Sequence, residues 1–350
     1  MTSLARRPDG VWRARYFDAE GKERSRHFQK QKDAKEWLDE QTTSLRRGDW
    51  IDPKAGKTTF ANYYAQWADR QVWVAGTAKA MNLAARSVPF SNVQLRGVTR
   101  SHVEAWVKGM DTAGLAASTI NTRFNNVRAI LRAAHRDKFI AADPCEGVRL
   151  PRQRRTEHAM VLPAPGDVGK LIDAADVWFR PFVGLCAFAG LRLGEAAAVQ
   201  VGDVDFLRRT LKVTRQVQRV SAGVVEIRAP KYHSERLVYL PGGLVELLAA
   251  HVEHVGTWGA VGWLFVGEGD NPPHQNTVGY WWRKTLKATD VAPFKLHDLR
   301  HFYASGLIAA GCDVVTVQRA LGHASAATTL RVYSHMWPTA EDRPARPLRR

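Results

Sequence analysis

Apolar and polar residues alternate in two short runs near the start of the chain, over 11–17 and 23–28. The alternation predicts a β-hairpin with Gly21 in its turn, Trp12, Ala14 and Tyr16 on one face and Arg13 and Arg15 on the other. Over 31–45 the period lengthens to that of a helix, and Ala34, Trp37, Leu38 and Leu45 can close the aromatic face. Thr58 opens a second helical region, marked by Phe60, Tyr63, Tyr64 and Trp67 and later by Val103, Trp106 and Val107. Its clearest helix is expected over 118–137, with Ser118 as N-cap and an apolar stripe of Ile120, Phe124, Val127, Ile130 and Leu131. Helical patterns fill most of 165–202, and strands are expected over 211–220, 224–228 and 237–240, with Lys231 exposed at the tip of a hairpin between the last two. Helices resume near 243–254 and 277–288. The last stretch, 295–337, has Leu299, Phe302, Leu307, Ile308, Val314, Val317 and Leu321 at helical intervals. Gly311 and Gly322 read as helix stops, and Ser325 as the start of a short helix that carries Tyr333.

These patterns suggest a multidomain chain of 350 residues. A small β-sheet-plus-helix module occupies 1–55, an all-α domain 58–147, a basic linker 148–157 and a mainly α domain with a small antiparallel β-sheet 158–337. A Pro/Arg-rich tail, 338–350, is expected to be mobile or to order only on a partner. The formal net charge of +17, with 45% hydrophobic residues, describes a folded protein with a polyanionic partner. The excess is spread over the whole chain. Candidate contacts are Arg13, Arg15, Arg24 and Arg26 in the hairpin and Arg152, Arg154 and Arg155 in the linker. Arg128, Arg132 and Arg136 add a stack at i, i+4 and i+8 without intervening acids. The hairpin and helix sets also read as ordinary solvated faces, and the linker set as a simple solvated linker. The longest apolar run, 182–191, is too short to span a bilayer, and a soluble intracellular protein is expected. Cys145, Cys186 and Cys312 show no CxxC spacing and read as small apolar fillers.

The polar chemistry of the last stretch admits two readings. His297 and His301, four apart, match the spacing of a zinc protease motif, but an aspartate follows the first histidine and a third ligand is not obvious. Alternatively His297 and Arg300 act as proton donor and oxyanion clamp, with His323 brought in by a glycine turn and Tyr333 as nucleophile, a set suited to a phosphodiester. Taken singly, these residues also read as surface histidines and a packing tyrosine. Upstream, Arg192 follows a glycine turn at the start of a helix running through Val199, and with Arg300 would give two guanidinium forks for one phosphate.

The order AGLRLGE (189–195), APKYHSER (229–236), HDLRH (297–301), LGH (321–323) and then a tyrosine ten residues later resembles the catalytic domain of the tyrosine recombinase, or phage integrase, family over 165–335. The resemblance implies that Arg192 and Arg300 clamp the scissile phosphate with His323 as a further donor. Tyr333 would form a 3′-phosphotyrosyl bond, Lys231 protonate the departing 5′ oxygen, His297 help manage the tyrosine proton and Glu195 brace the site. It implies no metal or nucleotide cofactor. The first two segments resemble the arm-type DNA-binding module and helical core-binding (SAM-like) domain of phage-type integrases. The partners implied are double-stranded attachment sites of core and arm type, and a homotetramer working through a Holliday junction in the cytoplasm of a bacterial host. An excision factor and a host DNA-bending protein would be separate chains. The rivals are a type IB topoisomerase, a catalytically silent DNA-binding regulator of the same fold, and, within the site, Tyr303 as nucleophile.

Overall fold

The computed structural model describes residues 2–18, 21–47, 55–152, 162–221, 224–231 and 234–337. The chain divides into two compact units, Met1–Thr156 and Glu157–Arg350.

In the first unit a three-stranded antiparallel sheet is formed by β1 (Ser3–Arg6), β2 (Trp12–Phe17) and β3 (Glu23–Phe28), in that order. The edge strand β1 is an addition to the expected hairpin. Its four residues are too few to show alternation, and pairing with β2 defines it. Helix α1 (Gln31–Arg47) closes the face bearing Ala14 and Tyr16, and Ala34 and Leu38 are buried against them. The register pairs Ala14 with Arg26 and Tyr16 with Arg24, so these two arginines share the helix-facing side. Of the four hairpin arginines only Arg13 and Arg15 stand on the open face, as the alternation predicts, so the four candidate contacts do not share one surface. Arg24 is further committed to the buried carboxylate of Asp18, at 2.7 Å.

A second hydrophobic cluster in this unit joins α2 (Phe60–Ala68), α3 (Ala75–Arg86), α4 (Arg100–Thr112) and α5 (Ala117–Arg136). Thr59 caps α2 by accepting from the Asn62 N–H. Helix α5 begins at Ala117, and Ala116 precedes it without a side-chain cap, so Ser118 lies inside the first turn instead of capping it. Asp143, in the loop beyond α5, lies within 3.4 Å of Arg128 and 3.3 Å of Arg132. The stack therefore does have an acid. It comes from outside the helix, where periodicity has no reach. Arg154 and Arg155 of the linker and the tail lie outside the described residues; Arg152 is exposed.

The second unit is mainly helical. Helices α6 (Pro165–Ala174), α7 (Arg180–Phe188) and the short α8 (Leu193–Ala197) precede the strands. Helix α8 stops at Ala197 and does not continue through Val199. The expected strand 211–220 is two strands, β5 (Thr210–Val213) and β6 (Gln216–Ser221), in different sheets. One sheet has the order β4 (Val204–Asp205), β5, β8 (Arg236–Tyr239); the other pairs β6 with β7 (Val224–Arg228). Lys231 therefore lies in a crossover between sheets and not at a hairpin tip, because β8 pairs with β5 to bury Val238. Helices α9 (Gly242–His254) and α10 (Gln275–Lys287) follow, then α11 (Asp298–Ala309), α12 (Val314–Leu321) and α13 (Ala326–Tyr333). Cys145 and Cys186 are buried and Cys312 is half-buried, all as free thiols. Among the described residues no helix is long and apolar enough to cross a membrane.

Candidate active site

The site is assembled from short segments whose cores are anchored independently. Arg192 is the N-cap residue of α8, reached through a tight turn at Gly190, φ +62°. Its backbone N–H and its Nη1 both donate to Glu195, at 3.0 and 2.6 Å, and Nη2 donates to the Gly322 carbonyl at 3.1 Å. Glu195 is fully buried and also accepts from Arg236 Nη2 at 2.8 Å. Burial alone would raise its pKa, but Arg236 and Arg192 outweigh that and hold it near 2. The carboxylate is thus the fixed anion around which two guanidinium groups are arranged. Arg236 Nε in turn donates to the Ala320 carbonyl at 2.9 Å.

Arg300 is 2% exposed on α11 and donates to the carbonyls of Gly190 and Leu321. Desolvation and the nearby Arg192 lower its pKa to about 9, which still leaves it charged at neutral pH. These bonds tie α11 to the turn before α8 and to the end of α12. That end is shaped by Gly322, whose left-handed φ of +60° stops α12 and sends the chain to His323. His323 shares a 2.9 Å hydrogen bond with Thr329, and burial followed by the Arg300 and Arg192 charges lowers its pKa to about 4. Tyr333 ends α13, is 1% exposed, and holds its hydroxyl 2.6 Å from His301 Nδ1. Burial raises the phenol to about 12, against the pull of Arg300. His297 keeps part of its surface exposed just before α11. Desolvation by the surrounding protein, with His301 and Arg300 beside it, lowers its pKa to about 4.

A side chain at position 190 cannot be accommodated. A Cβ there would lie 2.3 Å from Tyr303 Cδ1, and the backbone conformation is itself strained for an L residue. Gly190→Ala should lower the stability of the second unit by about 2 kcal/mol or more, by analogy with other overpacked and strained sites. Thermal unfolding checks this, and a wild-type melting profile would contradict it.

The phage integrase family profile matches residues 165–339, half of the chain and the whole of this cluster. The chain belongs to the phage integrase family. Membership makes it a site-specific recombinase of the tyrosine class. The ICEBs1 integrase of Bacillus subtilis is 25% identical over 72% of this chain and 71% of its own length. Among solved structures, the Tn1549 transposon integrase in complex with transposon right end DNA has a TM-score of 0.71 at 20% identity, covering 81% of this chain and 97% of that one. A lambda integrase tetramer bound to a Holliday junction has a TM-score of 0.58 at 18% identity, covering 92% and 95%. At these identities the structures establish a shared fold.

Within this integrase-family unit, hydrogen bonds link Arg192, Glu195 and Arg300 to the 320–323 turn, and His323 and Tyr333 enter through α13 and His301. His297 joins them by an edge-on ring contact with His301, 5.1 Å between centroids. Lys231 is exposed, and among the described residues it makes no hydrogen bond or ion pair with the cluster. Tyr303 packs against Gly190 instead of lying beside the histidines, and burial raises its pKa. His297 and His301 find no third His, Cys, Asp or Glu to complete a donor set among the described residues.

Two residues of the cluster escape the sequence reading. Arg236 stands within the motif 229–236, but its partner Glu195 is 41 positions away. His301 is visible as the second histidine of HDLRH, yet no spacing rule connects it to Tyr333, 32 positions on.

Proposed function

We propose that this integrase cleaves and rejoins DNA through a 3′-phosphotyrosyl intermediate on Tyr333. The observation that supports this most directly is the convergence of a buried phenol with two guanidinium groups and two neutral imidazoles on segments far apart in the chain. Arg192 and Arg300 are the phosphate clamp. Their planar forks match the nonbridging oxygens, whose charge grows in the pentacovalent transition state, and their own positions are set in advance by Glu195 and by backbone carbonyls. His323 is the further donor to the same phosphate, and His297, neutral at physiological pH, is an acid/base group at its edge. As the Tyr333 Oη–P bond forms, the P–O5′ bond breaks and Lys231 gives the departing oxygen its proton. The phosphotyrosine conserves the bond energy, so a 5′ hydroxyl of a second duplex can reverse the step without a nucleotide cofactor.

In this reading residues 1–55 bind arm-type sites and 58–147 bind the core site, with 148–157 as a basic linker before the catalytic domain, 158–337. Arg26, Arg132, Arg136 and Arg152 are exposed and available for such contacts, Arg132 while sharing Asp143 with Arg128; Arg13 and Arg15 pair with Glu23 on the open face of the sheet, and Arg24 is held by the buried Asp18. Four copies would exchange strands through a Holliday junction in the bacterial cytoplasm, integrating and excising a mobile element, with an excision factor and a DNA-bending protein as separate chains.

The test is covalent trapping. The protein is incubated with attachment-site DNA nicked near the crossover, quenched in SDS and digested, and the nucleotide-bearing peptide is mapped by mass spectrometry. A nucleotide on Tyr333 is expected; specific binding without an adduct would favour a silent DNA-binding descendant. Lys231→Ala should cut cleavage by roughly 100-fold or more, in the range of general-acid contributions, and a sulfur leaving group at the 5′ position should restore it. Without that rescue, Lys231 loses its role.

A further inference from the structure

The Tyr333 hydroxyl has a partner that the motif-based assignment leaves unused. His301 Nδ1 lies 2.6 Å from it, and the two rings meet edge-on with centroids 5.5 Å apart. Both groups are held rigidly. His301 follows Arg300 on α11, where Leu299, Ala304 and Ile308 are buried, and Tyr333 packs in one apolar cluster with Ile308, Val317 and Leu321. One helix thus carries both the phosphate-binding guanidinium and the group that touches the phenol. His297 touches the His301 ring, and among the described residues it has no hydrogen bond to Tyr333.

We propose that His301 is the general base that accepts the Tyr333 phenol proton during strand cleavage and returns it during religation. This rests on Tyr333 being the nucleophile. In cleavage the Tyr333 Oη–P bond forms, the phenol proton passes to His301 Nδ1, the P–O5′ bond breaks, and the departing oxygen takes a proton from Lys231. Religation reverses each transfer.

The resting protonation states fit. A phenol raised to about 12 keeps its proton at neutral pH. Burial lowers His301 below its ordinary 6.5, with Asp298 opposing that shift and Arg300 adding to it, so the ring is neutral. A neutral imidazole beside a protonated phenol accepts at Nδ1 when its other nitrogen carries the hydrogen. The charged and titratable groups around it are Asp298, Arg300 and His297 from its own segment, His323 from the turn and Tyr333 from α13. Asp298 favours the imidazolium that proton transfer creates. The phenol is a far weaker acid than that imidazolium, so the proton moves in concert with Oη–P bond formation, which acidifies the phenolic oxygen.

The test is single-turnover cleavage of the nicked attachment-site duplex by the full chain between pH 5 and 8, with the adduct mapped. For the wild type the rate should fall as pH drops through an inflection below 6.5, because protonation removes the base. His297 and His323, at about 4, titrate below the pH range measured. His301→Gln can still accept a hydrogen bond but cannot take a proton. It should lose about 100-fold or more in rate and lose the acid limb, with DNA affinity within about twofold of wild type. A loss below tenfold, or an acid limb that survives in His301→Gln, overturns the assignment. Should that variant fail to bind DNA, His301→Asn, whose amide oxygen lies nearer the place of Nδ1, is measured in its stead, and a loss below tenfold there overturns the assignment. An adduct on a residue other than Tyr333 in the wild type instead removes the nucleophile assignment, a failure the peptide map distinguishes from failure of the base alone.

Discussion

Tyr333→Phe abolishes the covalent protein–DNA adduct and leaves DNA affinity within about twofold. The ring that packs with Ile308, Val317 and Leu321 is retained, so α13 keeps its place in the core. Among the described residues the hydrogen bond lost is that to His301, and leaving its half-buried nitrogen unpaired costs about 1–3 kcal/mol of stability at most. Arg192, Arg300 and Glu195 are untouched, because their bonds run to Gly190, Leu321 and Gly322 and not to the phenol. Binding and chemistry therefore separate cleanly. SDS-resistant adducts on nicked DNA read the chemistry, and a mobility-shift titration at fixed salt reads the affinity. If affinity fell by the same factor as cleavage, Tyr333 would be a binding residue. If adducts persisted, Tyr303 would be the first alternative to map.

Glu195→Gln should destabilise the second unit by about 3–5 kcal/mol, the range found when one partner of a buried ion pair is removed. Glu195 is the shared acceptor of Arg192 and Arg236, and its side chain is wholly buried while that of Arg236 is 6% exposed. Glutamine nearly preserves the shape and removes the charge, leaving two guanidinium groups close together in a poorly solvated place. The same carboxylate predicts a pH dependence. Its folded pKa, about 2, lies below the ordinary 4.5, so its contribution is fully present above pH 4.5 and is lost as pH falls through 2. That contribution is about 3 kcal/mol from the linkage relation, and it should be absent from Glu195→Gln. Hydrogen exchange of peptides from 165–337 at neutral and acid pH measures both effects. Equal protection in the two proteins at pH 7 would show that the arginines are accommodated by water without the carboxylate.

How much of this was legible in the sequence depends on the distance over which each feature is decided. Helices α5, α9, α10 and α11 and the strand pair β2–β3 follow from periodicity within the segment, and the stops at Gly311 and Gly322 from a left-handed backbone that glycine adopts without strain. Arg192, Arg300, His323 and Tyr333 were legible as a set because their motifs keep order along the chain. Glu195 was legible as a brace only through the family resemblance; the structure adds that it lies within one helical turn of Arg192 and accepts from it.

Other features are set by partners far away in sequence. The split of 211–220 into two strands depends on which strand β8 joins, and that choice moves Lys231 from a hairpin tip into a crossover. Asp143 reaches Arg128 and Arg132 from a loop, and Arg24 and Arg26 take their side of the sheet from the β2–β3 register. The hydrogen bond between His301 and Tyr333 is of the same kind. Sequence by itself determined which residue types were available and the local elements that carry them. Only the tertiary structure decided which of the two histidines, His297 or His301, meets the phenol, because that contact depends on the packing of α13 against α11, and side-chain periodicity specifies a face but not the partner across it.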